Sequence, residues 1–191
     1  MSTHRWLSGC REEVYSDWLA WTIERQRDAA QILPLFGLAG SVGTDETWTV
    51  EREMVTAYGR LDLLLRNAKS GMLCVEIKTE SIPGEDQLER YESWLAGEHR
   101  LGLVLLAVDP AEDKPMPDMC RFCSWTHVAR TLRVWASKWL SQRRMYDAVM
   151  TLAFCGAIEQ NLLSLGGTGL NALRTAEYLE GVLEEFHATT T

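Results

Sequence analysis

Apolar positions recur along the chain with two periods, and each change of period marks an element. In EEVYSDWLAWTIERQ (residues 12–26), Val14, Trp18 and Trp21 share one face of a predicted helix, widened by Tyr15 and Leu19. AAQILPLFGLAGSVG runs into loop, because Pro34 and the glycines after it interrupt any longer period. Alternating and β-branched residues predict a strand from Thr47 to about Thr56. Gly59 follows, RLDLLLR reads as a second strand, NAKSG as a turn and MLCVEIKTE as a third strand. SIPGEDQLERYESWLAG begins as turn and becomes helical near Glu85, with Leu88, Tyr91 and Leu95 on a connected face. LGLVLLAVDP has no alternation and reads as a strand buried on both sides, closed by Pro110; AEDKPMPDMC reads as loop. A helix over 127–142, capped by Ser124 or Thr126, repeats Val128, Leu132, Trp135 and Trp139 on one face. Two more helices are expected over about 145–165 and 169–187, separated by GGTG. The expected order is helix, three strands, helix, strand, three helices. This is an α/β chain, read as one domain with a core over about 12–110 and a helical part over about 124–187.

The second and third strands carry charges inside otherwise apolar runs. A hairpin centred on Lys69 opposes Asn67 to Gly71, Leu64 to Cys74, Asp62 to Glu76 and Arg60 to Lys78. Opposed residues point to the same side of a sheet, and a period of two sets Glu76 and Lys78 together. This register gathers Asp62, Glu76 and Lys78 and turns Leu61, Leu63, Val75 and Ile77 the other way. Two carboxylates in a partly dry site repel unless a cation lies between them. Lys78 supplies one; Mg²⁺, which takes few protein oxygens and keeps several waters, would supply a better one, with Mn²⁺ as a substitute. Such an ion would polarise a phosphoryl oxygen and activate its water, with Lys78 holding or helping to deprotonate that water, or offsetting charge on the phosphate. Gln87 and Tyr91, four apart on the next helix, share a face. Gln87 there would orient water or phosphate, and Tyr91 would contact a nucleic-acid backbone. The plainer alternative is a salt-bridged strand pair on a solvated face beside an ordinary amphipathic helix.

GRLDLLLRNAKSGMLCVEIKTES followed by DQLERY resembles the PD-(D/E)xK nuclease superfamily, the restriction-endonuclease-like fold. Asp62 matches the metal-binding aspartate, and Glu76-Ile77-Lys78 the (D/E)-x-K, with the Ile77 carbonyl as a further metal ligand. Gln87 and Tyr91 match the Q-x-x-x-Y element of RecB-like members. Glu24 resembles the acidic residue of the first helix, and Glu53 one that precedes the glycine and aspartate. Leu61 stands where the family often has proline. The resemblance covers about residues 12–110. It implies metal-dependent hydrolysis of phosphodiester bonds, most often in DNA, by a restriction-endonuclease-like core with additional C-terminal helices. The alternative is a silent member of the fold that binds nucleic acid or a partner protein.

Composition refines this picture at three points. The 191 residues are 46% hydrophobic and 24% charged, which suits a globular domain. No run is apolar enough for a membrane span and no secretory signal is evident, so a cytoplasmic protein with reduced thiols is expected. The formal charge of −8 argues against a nucleic-acid partner. Its distribution argues otherwise: Met119–Tyr146 holds Arg121, Arg130, Arg133, Lys138, Arg143 and Arg144 and no acidic residue. Arg130, Arg133, Lys138, Arg143 and Arg144 are therefore candidate phosphate contacts. Cutting both strands of a duplex would need two centres, which makes a homodimer plausible. Cys120 and Cys123 form a lone C-x-x-C that no histidine clearly completes as a zinc site. Trp48, Trp94 and Trp125 stay open as exposed stacking residues or dimer contacts.

Overall fold

The structure, a computed structural model, describes residues 11–39, 47–69, 71–80, 83–84, 86–96, 100–110, 116–165 and 177–184. Glu85, the GGTG turn, Cys10, His4, His99 and His187 lie outside these. The fold is α/β, built on a five-stranded mixed sheet in the order β1-β2-β3-β4-β5. The strands are β1 (Thr49–Thr56), β2 (Gly59–Asn67), β3 (Gly71–Ile77), β4 (Arg100–Ala107) and β5 (Cys120–Ser124). The helices are α1 (Glu12–Arg25), a single turn α2 (Ile32–Leu35), α3 (Gln87–Leu95), α4 (Trp125–Ser141), α5 (Met145–Ala157) and α6 (177–184). β1, β2 and β3 form an antiparallel meander, while β3, β4 and β5 are parallel. β5 falls partly in the segment expected to be loop. No helix among the described residues is long and apolar enough to cross a membrane.

The chain divides into two compact units, Arg11–Ser124 and, for its described part, Trp125 onward. In the first, Leu61, Cys74, Leu103, Leu105, Ala107 and Cys120 of the sheet form one apolar cluster with Leu88, Tyr91 and Leu95 of α3. α1 packs across β1, β2 and β3. Its buried residues are Tyr15, Ser16, Leu19, Ala20, Thr22 and Ile23, so the inward stripe is rotated from the expected Val14–Trp18–Trp21 face. The two tryptophans lie edge to face at the margin of that stripe, and Arg25 stacks over Trp21. An indole is large enough to be half-covered there without entering the core.

In the second unit α4 buries Val128, Leu132, Trp135 and Trp139, as its period predicts. Trp125 is fully buried against Phe154 of α5 and is neither a stacking platform nor a dimer contact. Trp48 donates its indole N–H to the Ala29 carbonyl, and Trp94 packs against the α3 cluster.

Candidate active site where two strands part

The hairpin has the expected register, with Asn67 opposite Gly71, Leu64 opposite Cys74 and Leu63 opposite Val75. The pairing stops there. Beyond it β2 continues beside β1, with Leu61 opposite Met54, and β3 continues beside β4, with Ile77 opposite Leu106. The Lys78 N–H extends that second ladder to the Leu106 carbonyl. The two strands thus part at the position where Asp62 would face Glu76. Asp62 fills the opening: its Oδ2 accepts the Ile77 N–H at 2.8 Å. The side chain replaces a backbone acceptor that the departing strand no longer offers.

This departure corrects two expectations. Arg60 does not oppose Lys78; it pairs instead with Glu53 at 2.7 Å. Leu61 belongs to the same apolar cluster as Cys74, whose cross-strand partner is Leu64. Strict alternation would put Leu61 and Leu64 on opposite sides, so the pleat of β2 is interrupted around Asp62.

Asp62, Glu76 and Lys78 are brought together and buried, at 9%, 1% and 7% exposure. Lys78 Nζ lies 2.7 Å from Glu76 Oε1 and 3.3 Å from Glu12 Oε2. Gln87 Nε2 donates to Glu76 Oε1 at 2.7 Å and lies 3.0 Å from the Tyr91 hydroxyl. Tyr91 in turn donates to the Arg60 carbonyl at 2.6 Å. The Gly84 N–H is donated to Gln87 Oε1, which fixes the amide with its NH₂ toward the carboxylate. Tyr91 therefore holds Gln87 and the strand; its hydroxyl is not presented to a nucleic-acid backbone.

Acidic charge remains in excess. Burial, then the Asp62 charge, pushes the Glu76 carboxyl up to about 7 against the pull of Lys78. Burial also raises Asp62, opposed by the Ile77 N–H and Lys78 and reinforced by Glu12 and Glu53. For Lys78, burial acts downward, but Glu76, Glu12 and Asp62 outweigh it and the amine is raised. Glu76 Oε2 and Glu53 Oε1 are buried without a hydrogen-bond partner.

Glu53 sits between the β1 residues that pair with Leu63 and Leu61, level with Asp62 across the β1–β2 ladder. Its φ of 53° is left-handed, and the β1–β2 pairing skips it while the strand runs on. Glu24 is not brought to the site. It is exposed near the far end of α1, about 18 Å along the helix from Glu12. The acidic residue of α1 that reaches the site is Glu12, through Lys78. Its signal was present in the sequence, since Glu12, Tyr15, Leu19 and Ile23 follow one helical stripe.

Among the described residues no three His, Cys, Asp or Glu side chains form a group able to hold a metal ion. Asp62 and Glu76 alone would be the protein's donors there, a set that only an ion keeping most of its water could use. The partnerless Glu76 Oε2 fits such a role. Ile77 contributes its N–H to the site, and along a strand its carbonyl faces the same edge.

The basic residues beyond β5 do not form an open phosphate-binding row. Arg133 makes a two-pronged ion pair with Glu159, which also accepts the Tyr178 hydroxyl at 2.6 Å. Arg130 stacks over Tyr178 and donates to the Glu177 carbonyl. Arg144 pairs with Asp147 and stacks over Trp139. These guanidiniums staple helices; Lys138 and Arg143 are exposed. Cys120 and Cys123, three apart on β5, point to opposite sides of the sheet and cannot chelate one ion. Comparison of the chain with protein-family models, curated proteins and solved structures gives no match.

Proposed function

We propose that the chain is a divalent-metal-dependent nuclease of the PD-(D/E)xK type, with a restriction-endonuclease-like core, that hydrolyses phosphodiester bonds in DNA. The observation that carries this reading is Glu76, enclosed beside Asp62 with one carboxylate oxygen lacking any partner. A pair of buried carboxylates that one lysine does not neutralise is suited to a divalent cation. Asp62 and Glu76 would hold Mg²⁺ or Mn²⁺, and Glu53 would lie near enough to bind its water. The ion when bound supplies Lewis acidity and a more acidic water. Lys78, kept as an ammonium by its carboxylate neighbours, acts as a hydrogen-bond donor that orients the attacking water and offsets charge on the phosphate. Gln87 holds Glu76 Oε1, and Tyr91 holds Gln87.

The test is incubation of linear, circular and single-stranded DNA and of RNA with Mn²⁺. The expected outcome is cleavage of DNA that falls about 100-fold or more in Lys78→Ala and Asp62→Asn. Cleavage unchanged in both variants would overturn the assignment. A second reading, an inactive member of the fold that binds nucleic acid or a partner, is favoured by one feature: Lys78 already bridges Glu76 and Glu12. Calorimetric titration of Mn²⁺ separates the two. The nuclease reading expects binding to wild type that is lost in Asp62→Ala and Glu76→Ala, and the inactive reading expects equal weak heats in all three.

A further inference from the structure

The tip of the β1–β2 hairpin and the adjoining turn of α3 offer cationic and aromatic surface in the unit that holds the site. The turn is short: β1 ends at Thr56 and β2 begins at Gly59. Thr56 Oγ1 closes it by accepting the Tyr58 N–H and donating to the Gly59 carbonyl. Successive residues of α3 clamp it from outside. Arg90 Nε donates to the Tyr58 carbonyl at 3.2 Å, and the Tyr91 hydroxyl donates to the Arg60 carbonyl. Gly59 has a φ of 133°, and a Cβ there would stand 3.3 Å from the Tyr91 ring, so the ring lies directly on the turn.

This clamped tip nevertheless presents apolar surface to solvent, with Val55 80% and Tyr58 44% exposed. Arg60, 55% exposed, and the exposed Arg90 flank it. In the Arg60–Glu53 pair the guanidinium is the solvent-facing partner, while the carboxylate is 31% exposed, so the guanidinium keeps N–H groups open to a second anion. Gly59, which follows Tyr58, stands about 10 Å along β2 from Asp62. Hydrogen bonds running from Arg60 through Tyr91 and Gln87 to Glu76 tie the tip to the acidic centre.

We infer that this tip is the substrate platform of the proposed nuclease: Arg60 and Arg90 engage phosphates and the Tyr58 ring stacks on a base, selecting a single strand. The inference rests on the nuclease reading and names its substrate class. A stacked duplex base offers no face to an aromatic ring from outside, whereas an unpaired base does, and such stacking is tolerant of sequence. The rigid clamp spares the ordering cost that a mobile loop would incur on binding.

The experiment measures fluorescence anisotropy of a labelled single-stranded phosphorothioate oligonucleotide, and of its duplex, with the full chain in Mg²⁺. Wild type is expected to bind the single strand more tightly than the duplex. Tyr58→Ala should weaken that binding about 10-fold, with recovery in Tyr58→Trp. Arg60→Gln with Arg90→Gln should lower the dependence of log affinity on log salt by about 1.4. Lys138→Gln with Arg143→Gln should change nothing. Equal binding by wild type and Tyr58→Ala, preference for duplex, or no binding by wild type would each overturn the platform. Cleavage in Mn²⁺ is scored separately: cleavage that survives with unaltered affinity in Tyr58→Ala removes the platform and keeps the nuclease. A Tyr58-dependent affinity without cleavage does the reverse.

Discussion

Glu76 is an ionisable group in a nearly closed site, and its folded pKa of about 7 lies above the ordinary 4.5. The folded chain therefore keeps a proton that the unfolded chain releases. The stabilisation from that proton is complete below about pH 4.5 and is lost as pH rises through about 7. Asp62 shifts in the same direction. Thermal unfolding between pH 5 and 8.5 should show Tm falling with pH, and Glu76→Gln should flatten the decline. Because a bound cation competes with the same proton, Mg²⁺ should raise Tm more at pH 8 than at pH 5.5. Gly59 supplies a second test at this scale. Gly59→Ala combines a left-handed backbone with a close ring and should cost about 1–3 kcal/mol by denaturant unfolding. Gly84→Ala, where the built Cβ meets only ordinary contacts, should stay within about 0.5 kcal/mol.

The elements show what the chain discloses locally and what it withholds. The β2–β3 register follows from the NAKSG turn, and the α4 stripe from the spacing of its apolar residues. Both are set by neighbours in sequence. β5 is five residues long and follows a proline-containing loop, so its pairing with β4 depends on a partner that local alternation does not reveal. Glu24 is named by resemblance alone, whereas the acidic residue of α1 that reaches the site depends on which stripe faces the sheet, and the buried stripe runs beside Trp18 and Trp21 rather than through them. The acid-free run of arginines gave no hint of Glu159, which follows α5. There the helix widens, with the Leu163 N–H bonded to the Ile158 carbonyl five residues back, and Glu159 sits in that turn. Arg133→Ala would leave Glu159 with the Tyr178 hydroxyl alone and should cost about 1–3 kcal/mol, whereas Arg133→Met with Glu159→Leu and Tyr178→Phe, which leaves no buried polar group of this cluster unpaired, should be close to neutral. Chemical denaturation of the three proteins checks this.

Across the whole molecule, charge is divided unevenly. Residues 11–124 carry 12 basic and 21 acidic side chains, so the unit that holds the site is strongly acidic. The basic run at 119–146 does not offset this for a ligand, because Arg130, Arg133 and Arg144 are spent on internal partners. A polyanion should therefore meet few phosphate contacts. The slope of log affinity against log salt for a single strand should be near −1.4, for two contacts; all six basic residues of that run would give about −4. Anisotropy titrations between 50 and 300 mM salt, roughly one Debye length falling from about 14 to about 6 Å, distinguish the two.

The four cysteines described, Cys74, Cys120, Cys123 and Cys155, are all enclosed and carry no disulfide. Burial raises each thiol, Cys120 to about 11 and Cys123 and Cys155 to about 12, so none reacts as a thiolate while the fold stays shut. Their alkylation by a small maleimide then becomes a clock for opening. Cys74, Cys120 and Cys123 time the sheet, Cys155 times α5, and mass spectrometry of the modified peptides reads each dial separately.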